Sequence, residues 1–151
     1  MKKHGKTRLG CAVLFAIYCL AMLWLLFLYR RAPTGIRRYN LIPLQTIRRY
    51  LVGFTLGWTS ARLRIALVNL AGNVAVFVPL GWFLPRLFSA QRRLGWFLLT
   101  VLLAVSAVEL CQMLTTFGTL DIDDLLLNAL GAVIGWTVWK TARGNREKRG
   151  R

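Results

Sequence analysis

The sequence is poor in acidic residues, in histidine and in cysteine. It has 5 Asp and Glu against 21 Lys and Arg, and its formal net charge is +16. The single histidine lies in the basic N-terminal stretch, which argues against histidine-based catalysis. The three cysteines, Cys11, Cys19 and Cys111, lie in apolar stretches, which argues against a disulfide framework and a zinc site. We therefore expect no resident cofactor, with a divalent cation left open as one possibility.

Signature motifs of soluble enzymes and of nucleic-acid-binding proteins are also missing. There is no G-x-S-x-G nucleophile motif and no phosphatase-like basic motif. No DNA- or RNA-binding motif accompanies the positive charge, and the basic residues flank apolar runs instead of covering one face. Such charges are typical of topology signals and of contacts with anionic lipid headgroups. We expect membrane lipids as partners, and no nucleic acid.

Long apolar runs dominate what is present. The sequence is 56% hydrophobic, with a mean hydropathy of +0.50. Runs of 18 to 21 residues would each extend about 27 to 32 Å as helices, which matches the hydrocarbon core of a bilayer. The sequence predicts an all-α polytopic membrane protein, a single domain over 1–151 with a bundle of about four transmembrane helices. The predicted spans are 9–29, 65–84, 95–114 and 122–139, flanked by basic tails at 1–8 and 140–151. In the fourth span, Gly131 and Gly135 form a small-xxx-small pair that is expected to allow close helix packing.

The distribution of Lys and Arg predicts the orientation of these spans. With the N-terminus inside, thirteen basic residues lie on the cytoplasmic side and eight on the outer side. Both termini are therefore expected in the cytoplasm. The eight outer basic residues all lie in the connection between the first two spans.

Part of that connection, residues 40–58, has an amphipathic pattern. Its apolar residues share one side of a helix, with Arg49 opposite; they are Leu44, Ile47, Leu51, Phe54 and Trp58. This pattern favours an amphipathic segment that lies in the outer interface and covers the polar residues beneath it. The alternative is an irregular loop that caps the bundle.

Polar residues at the outer ends of three spans are expected to meet at one level, where Glu109, Asn73 and the turn from Asp121 to Asn128 line one outer-facing cavity. They are Asn69 and Asn73 in the second span, Glu109 and Gln112 in the third, and Asp121, Asp123, Asp124 and Asn128 in the fourth. Helical spacing places each set on one face of its helix, except that Asp123 lies beside the face that Asp121, Asp124 and Asn128 share. Glu109 needs a proton or a partner at its depth, such as an amide, an arginine or a cation. The cluster is either a functional polar site or a network that only holds helices together.

The order and spacing of these residues resemble the VanZ-like family of bacterial membrane proteins. The matching pieces are Asn40-Leu41-Ile42-Pro43, Asn69-x-x-Gly72-Asn73-x-x-x-Phe77-x-Pro79-x-Gly81, Glu109-x-x-Gln112 and Asp121-Ile122-Asp123-Asp124-x-x-x-Asn128-x-x-Gly131. The resemblance adds Asn40 to the candidate site and implies a multi-pass protein of the bacterial inner membrane. Members often have Gly-Arg before the acidic stretch, whereas here Thr119 follows Gly118. A compensating arginine would come from Arg37, Arg38, Arg48 or Arg49.

The resemblance also implies a role in the cell envelope, because the family's namesake is associated with teicoplanin resistance. The first hypothesis is a non-enzymatic protein that binds a lipid, a lipid-linked envelope precursor or a membrane protein partner through an outer-facing polar site. The alternative is a membrane-embedded hydrolase or transferase, in which Glu109, Asp121, Asp123 and Asp124 hold a divalent cation. A small transporter ranks third, since no internal repeat is visible.

Overall fold

The computed structural model describes residues 2–28, 35–57 and 59–149, and most of them are helical. The five α-helices are Lys2–Leu23 (α1), Gln45–Thr55 (α2), Ser60–Leu87 (α3), Leu94–Leu114 (α4) and Ile122–Arg149 (α5). A π-helical turn, Trp24–Leu28, extends α1, and a 3₁₀ turn, Ser89–Arg92, joins α3 to α4. Two short strands, Arg38–Asn40 (β1) and Thr119–Asp121 (β2), pair in parallel.

Four helices are long and apolar enough to cross a membrane, which confirms the predicted helical bundle. The apolar segments are Arg8–Phe27, Ser60–Leu87, Leu94–Leu114 and Ile122–Asn145. Helix α3 extends through Pro85 to Leu87, and α5 extends ten residues beyond the predicted end at 139. Hydropathy underestimates the lengths of these helices, because Arg and Lys end an apolar run but are good helix formers.

Helices α3 and α5 form the centre of the bundle, and glycines allow their backbones to touch. A Cβ atom at Gly131 would overlap the Val74 carbonyl, and one at Gly135 would overlap the Val78 carbonyl. The residue in contact moves from Val74 to Val78 on α3 as it moves from Gly131 to Gly135 on α5, so the two helices run parallel. Gly131 and Gly135 form the small-xxx-small pair expected to allow close packing, and the structure confirms that expectation.

One face of α4 carries a buried stripe that changes from apolar to polar along the helix. Phe97, Val101 and Val105 are fully buried, and Glu109 and Gln112 continue the stripe toward the end of α4. These residues recur at helical spacing, so they share the face of α4 that packs on the bundle. The apolar core therefore ends in a polar layer where α3 and α5 begin and α4 ends. We call this end of the bundle the polar end.

Helix α1 lies at the edge of the bundle, against α3. The Tyr18 hydroxyl donates a hydrogen bond to the Val76 carbonyl at 2.8 Å, and the Tyr18, Phe15 and Phe83 rings cluster beside it. Pro79 lies three residues after Val76 and cannot donate to the helix ladder. The carbonyl that loses its helical donor to Pro79 is that of Ala75, so the Tyr18 hydroxyl binds the neighbouring carbonyl and attaches α1 to α3 beside the proline.

The amphipathic segment contains a short helix, α2, which packs across the polar end. Thr46, Tyr50 and Gly53 lie on the side nearest the bundle, whereas Leu51, at 56% exposed, lies on the apolar outer side. Three other stripe residues, Leu44, Ile47 and Phe54, are exposed or half-buried, and Trp58 lies outside the described residues. An apolar stripe turned away from the protein suits a membrane interface, and that location remains a prediction.

Candidate functional site

A cavity of about 760 Å³ opens at the polar end, between α2, the strand pair and the ends of α3, α4 and α5. We call it the polar cavity because most of its wall consists of charged, amide and hydroxyl-bearing side chains. Its lining residues are Arg37, Arg38, Tyr39, Asn40, Gln45, Thr46, Arg49, Tyr50, Asn69, Asn73, Gln112, Gly118, Thr119, Asp121 and Asp124. It therefore brings together six of the nine candidate residues: Asn40, Asn69, Asn73, Gln112, Asp121 and Asp124.

Asp123 is fully buried and caps the N-terminus of α2 from another helix. Its Oδ1 accepts the Leu44 backbone N–H, and its Oδ2 accepts those of Thr46 at 2.7 Å and Ile47 at 3.1 Å. The first amides of a helix have no partner within the helix, and a carboxylate satisfies them well. Leu44 occupies the capping position in a left-handed conformation, with φ of 62°, and its side chain cannot cap. The cap of α2 thus comes from the first turn of α5.

Asp121 ties the same region together through its side chain. Its Oδ2 accepts the Thr46 hydroxyl at 2.7 Å, and its Oδ1 accepts the Asn40 amide at 3.2 Å and the Asp123 backbone N–H at 2.9 Å. The strand pairing sets Asn40 opposite Asp121, which explains how residues 81 positions apart meet. Asn40 and Asp121 therefore bind β1 and α2 to the start of α5.

The two asparagines of α3 hold different neighbours. Asn73 donates to Asp124 Oδ1 on α5 at 2.5 Å, and Asn69 donates to the Tyr50 hydroxyl on α2 at 2.8 Å. On α4, Gln112 donates to the Leu26 carbonyl at 2.8 Å, within the π-helical turn. A π turn leaves carbonyls displaced from the regular helical ladder, so an amide from a neighbouring helix is a suitable donor.

Three candidate residues, Glu109, Asp123 and Asn128, do not line the polar cavity. Glu109 is 3% exposed, and its Oε2 accepts the Asp121 backbone N–H at 3.3 Å. The expectation that Glu109 faces the cavity is therefore corrected: it lies beneath the wall and supports the junction of β2 and α5. Asn128 is equally buried, and its Oδ1 has no hydrogen-bond partner among the described residues. All three side chains are therefore buried in the protein and lie outside the cavity lining.

Three of the four arginines considered as compensating partners reach the polar cavity. Arg37, Arg38 and Arg49 line it, and Arg48 is exposed and does not. Arg38 pairs with Thr119 in the strand ladder, so it lies beside the position where the resemblance led us to expect an arginine. Sequence reasoning missed Gln45, Thr46 and Tyr50 as lining residues. The lack of a capping side chain before α2 was the signal that a partner lies elsewhere.

The acidic residues do not gather into a cation site. Within residues 2–28, 35–57 and 59–149, no group of three His, Cys, Asp or Glu side chains could hold a metal ion. Both oxygens of Asp123 already accept backbone amides, and both oxygens of Asp121 accept hydrogen bonds from the protein. Carboxylates committed in this way are poor candidates for the several oxygen ligands that Mg²⁺ or Ca²⁺ requires.

Comparison with protein families identifies the chain. Residues 15–143 match the VanZ/LLP1 family, and that range covers every residue of the polar cavity and its supporting layer. The chain belongs to the VanZ/LLP1 family. No curated protein and no solved structure matches it. In this VanZ/LLP1 protein, the Asp121-x-Asp123-Asp124 sequence attaches α2 and β1 to the bundle and forms part of the cavity wall.

Proposed function

We propose that this protein is a non-enzymatic binding protein of the bacterial cell envelope. Its ligand is the phosphate-bearing headgroup of a membrane lipid or of a lipid-linked envelope precursor, held in the polar cavity. The observation that carries the proposal is the cavity's composition: Arg37, Arg38 and Arg49 line a wall that otherwise consists largely of amides and hydroxyls. Arginine binds phosphate oxygens through two parallel N–H donors, which suits a site of this kind.

The balance of charge in the cavity supports an anionic ligand. Three arginines face two aspartates, Asp121 and Asp124, and both aspartates accept hydrogen bonds from neighbouring side chains. Negative charge that is already hydrogen-bonded within the protein repels a ligand less than an unpartnered carboxylate would. Asn69, Asn73 and Gln112 add amide groups that can bind the hydroxyls of a sugar or glycerol headgroup.

The position of the cavity supports an amphiphilic ligand. It lies at the end of a bundle whose helices are long enough to span a bilayer, and α2 presents an apolar outer stripe beside it. A lipid whose headgroup occupies the cavity can keep its hydrophobic chain in the surrounding membrane. On the basis of the Lys and Arg distribution, we place this end on the outer side, with both termini in the cytoplasm.

The binding experiment uses the purified protein in neutral detergent and three phosphate probes. These are farnesyl phosphate, a diacyl phosphatidylglycerol and inorganic phosphate, with uncharged farnesol as a fourth arm. We expect both amphiphilic phosphates to bind more tightly than inorganic phosphate, and farnesol to bind weakly. The amphiphile that binds more tightly shows whether the site prefers a phosphate on a polyprenyl chain or one on a diacyl lipid. Equal binding of farnesol and farnesyl phosphate would refute a phosphate site.

Arginine variants test the cavity directly. We expect Arg38→Gln together with Arg49→Gln to weaken farnesyl phosphate binding at least about tenfold, because charge-assisted hydrogen bonds are each worth about 1.5–3 kcal/mol. Arg62→Gln together with Arg64→Gln is the matched control, since both arginines are exposed at the same end and neither lines the cavity. If the control weakens binding as much as the double variant, general surface charge and not the cavity binds the probe.

Membership of the VanZ/LLP1 family is the reason to propose a resistance role as well, and that role is tested separately. We propose that occupancy of the cavity contributes to resistance to teicoplanin-type glycopeptides. The protein would be expressed in a susceptible bacterial strain, and the minimal inhibitory concentration of teicoplanin compared with that of the empty vector. A rise that the Arg38/Arg49 double variant abolishes supports this role, provided both proteins reach the membrane in equal amounts. An unchanged concentration rejects the role and leaves the binding proposal to its own test.

A further inference from the structure

A second charged crevice lies at the opposite end of the bundle, which we call the basic end. The crevice has a volume of about 120 Å³ and lies between α3 and α5, lined by Trp82, Arg86, Trp139, Ala142 and Arg143. The polar cavity shares none of these residues. The function proposed for the polar cavity therefore does not explain the crevice.

The two helices contribute the same arrangement to this crevice. In each, an arginine follows a tryptophan by four residues and stacks on its ring, with 4.9 Å from Arg86 to Trp82 and 5.9 Å from Arg143 to Trp139. Because α3 and α5 run parallel, both pairs lie at the same level and point the same way. Trp139 also packs against Trp136, with ring centroids 6.2 Å apart, so its ring is fixed in position.

The order of groups along the crevice matches the order of groups in a phospholipid. Each arginine lies about 6 Å further along the helix than its tryptophan, toward the end of the apolar segment. Tryptophan favours the boundary between acyl chains and headgroups, and arginine favours the phosphate level just beyond it. A guanidinium has its N–H donors in the plane of the group, so stacking through its face suits the bidentate geometry in which arginine binds phosphate.

The distribution of charge favours an anionic lipid over a neutral one. Arg8, Arg92, Arg93 and Lys140 also lie at the basic end, and Arg8 donates to the Leu87 carbonyl at 3.2 Å. Four of the five acidic residues in the sequence, Glu109, Asp121, Asp123 and Asp124, lie at the polar end. We propose that the crevice binds the phosphate of an anionic phospholipid in the leaflet that the basic end contacts, with Arg86 and Arg143 holding the phosphate.

Native mass spectrometry of the full chain tests this site with phosphatidylglycerol and phosphatidylcholine as probes. Every protein in this test carries Arg38→Gln and Arg49→Gln, so that the polar cavity contributes little to the binding. The protein with an unchanged crevice should bind phosphatidylglycerol more tightly than phosphatidylcholine. We expect Arg86→Gln together with Arg143→Gln to weaken that binding at least about tenfold, with little effect on phosphatidylcholine. Arg93→Gln with Lys140→Gln removes two charges from the same end outside the crevice and should change the apparent Kd by less than about threefold. Equal losses in the two double variants would overturn the proposal.

A second variant keeps the test decisive if the double arginine variant folds poorly. Ala142 lines the crevice between the arginines, so Ala142→Phe should fill it without removing charge. We expect this variant to lose phosphatidylglycerol selectivity while its melting temperature stays close to that of the wild type. Undiminished phosphatidylglycerol binding by Ala142→Phe, measured together with Arg38→Gln and Arg49→Gln, would overturn the proposal, because the lipid would then not occupy the crevice.

Discussion

The cap that α5 provides for α2 gives a quantitative prediction for Asp123→Asn. The wild-type carboxylate accepts three backbone N–H groups at the start of α2 through two oxygens. Asparagine retains one acceptor oxygen and replaces the other with an amide NH2 group, a donor that would face backbone N–H donors. The substitution therefore removes a negative charge at a helix N-terminus and at least one of the three hydrogen bonds, with almost no change in side-chain volume.

The expected cost is about 3–5 kcal/mol. A hydrogen bond to a charged group contributes about 1.5–3 kcal/mol, and the bonds that remain become neutral and about half as strong. The loss falls on α2 and leaves the bundle intact, because the glycine contacts between α3 and α5 do not involve Asp123. Local opening of α2 should accordingly become at least a hundredfold more frequent, since about 1.4 kcal/mol corresponds to a factor of ten.

Hydrogen exchange followed by mass spectrometry, in detergent or nanodiscs, measures this opening. We expect peptides that cover residues 44–55 to exchange at least a hundredfold faster in Asp123→Asn, and peptides from α3 and α5 to keep their protection. Asp124→Asn is the matched control, because it removes the same charge from the same turn. Its carboxylate accepts the Asn73 amide of α3, whereas Asp123 binds the three N–H groups at the start of α2. Exchange at residues 44–47 that stays within twofold of wild type in Asp123→Asn would refute the capping argument.

Three further predictions concern the bundle, the buried carboxylate and the topology. Gly131→Ala should lower the melting temperature in detergent, at a cost of about 1–3 kcal/mol, because its Cβ overlaps an α3 carbonyl, whereas Gly72→Ala, with open space around it, should not. Glu109→Ala should cost about 1–3 kcal/mol by leaving a buried backbone N–H unpaired, and Glu109→Gln, which can still accept that bond, should cost less. A cysteine at Gly118, in a background without native cysteines, should react with an impermeant reagent only from outside the cell; labelling only from inside would reverse the predicted topology.

Hydropathy and helical spacing were sufficient to predict the bundle. The four spans follow from lengths of apolar sequence, and the polar layer follows from Asn73, Gln112 and Asp124, whose positions along three helices place them at one level. Both signals are local, because each depends only on spacing within one helix. The close contact between α3 and α5 was likewise indicated by Gly131 and Gly135, because small residues four apart mark a face that a neighbour can approach.

The pairing of distant segments was not accessible to the same reasoning. Nothing in the local pattern indicates that Arg38–Asn40 pairs with Thr119–Asp121, since each strand is only three residues long. That pairing brings Asn40 to Asp121 and places Arg38 at the cavity. The depth of a residue along a helix also does not specify which side of the helix its side chain faces. For this reason Glu109 was expected to line the cavity, whereas its side chain is buried outside the lining.

The structure changes what the acidic sequence Asp121-x-Asp123-Asp124 implies about mechanism. Paired aspartates at a membrane boundary suggest a metal-dependent hydrolase, in which carboxylates bind a cation that activates water. Here Asp123 uses both oxygens on α2, and Asp121 holds Thr46 and Asn40, so these two residues fix the protein segments that carry the arginines. Loss of either aspartate should therefore affect ligand binding through the position of α2. A variant that weakens binding without increasing exchange in α2 would instead place that aspartate in direct contact with the ligand.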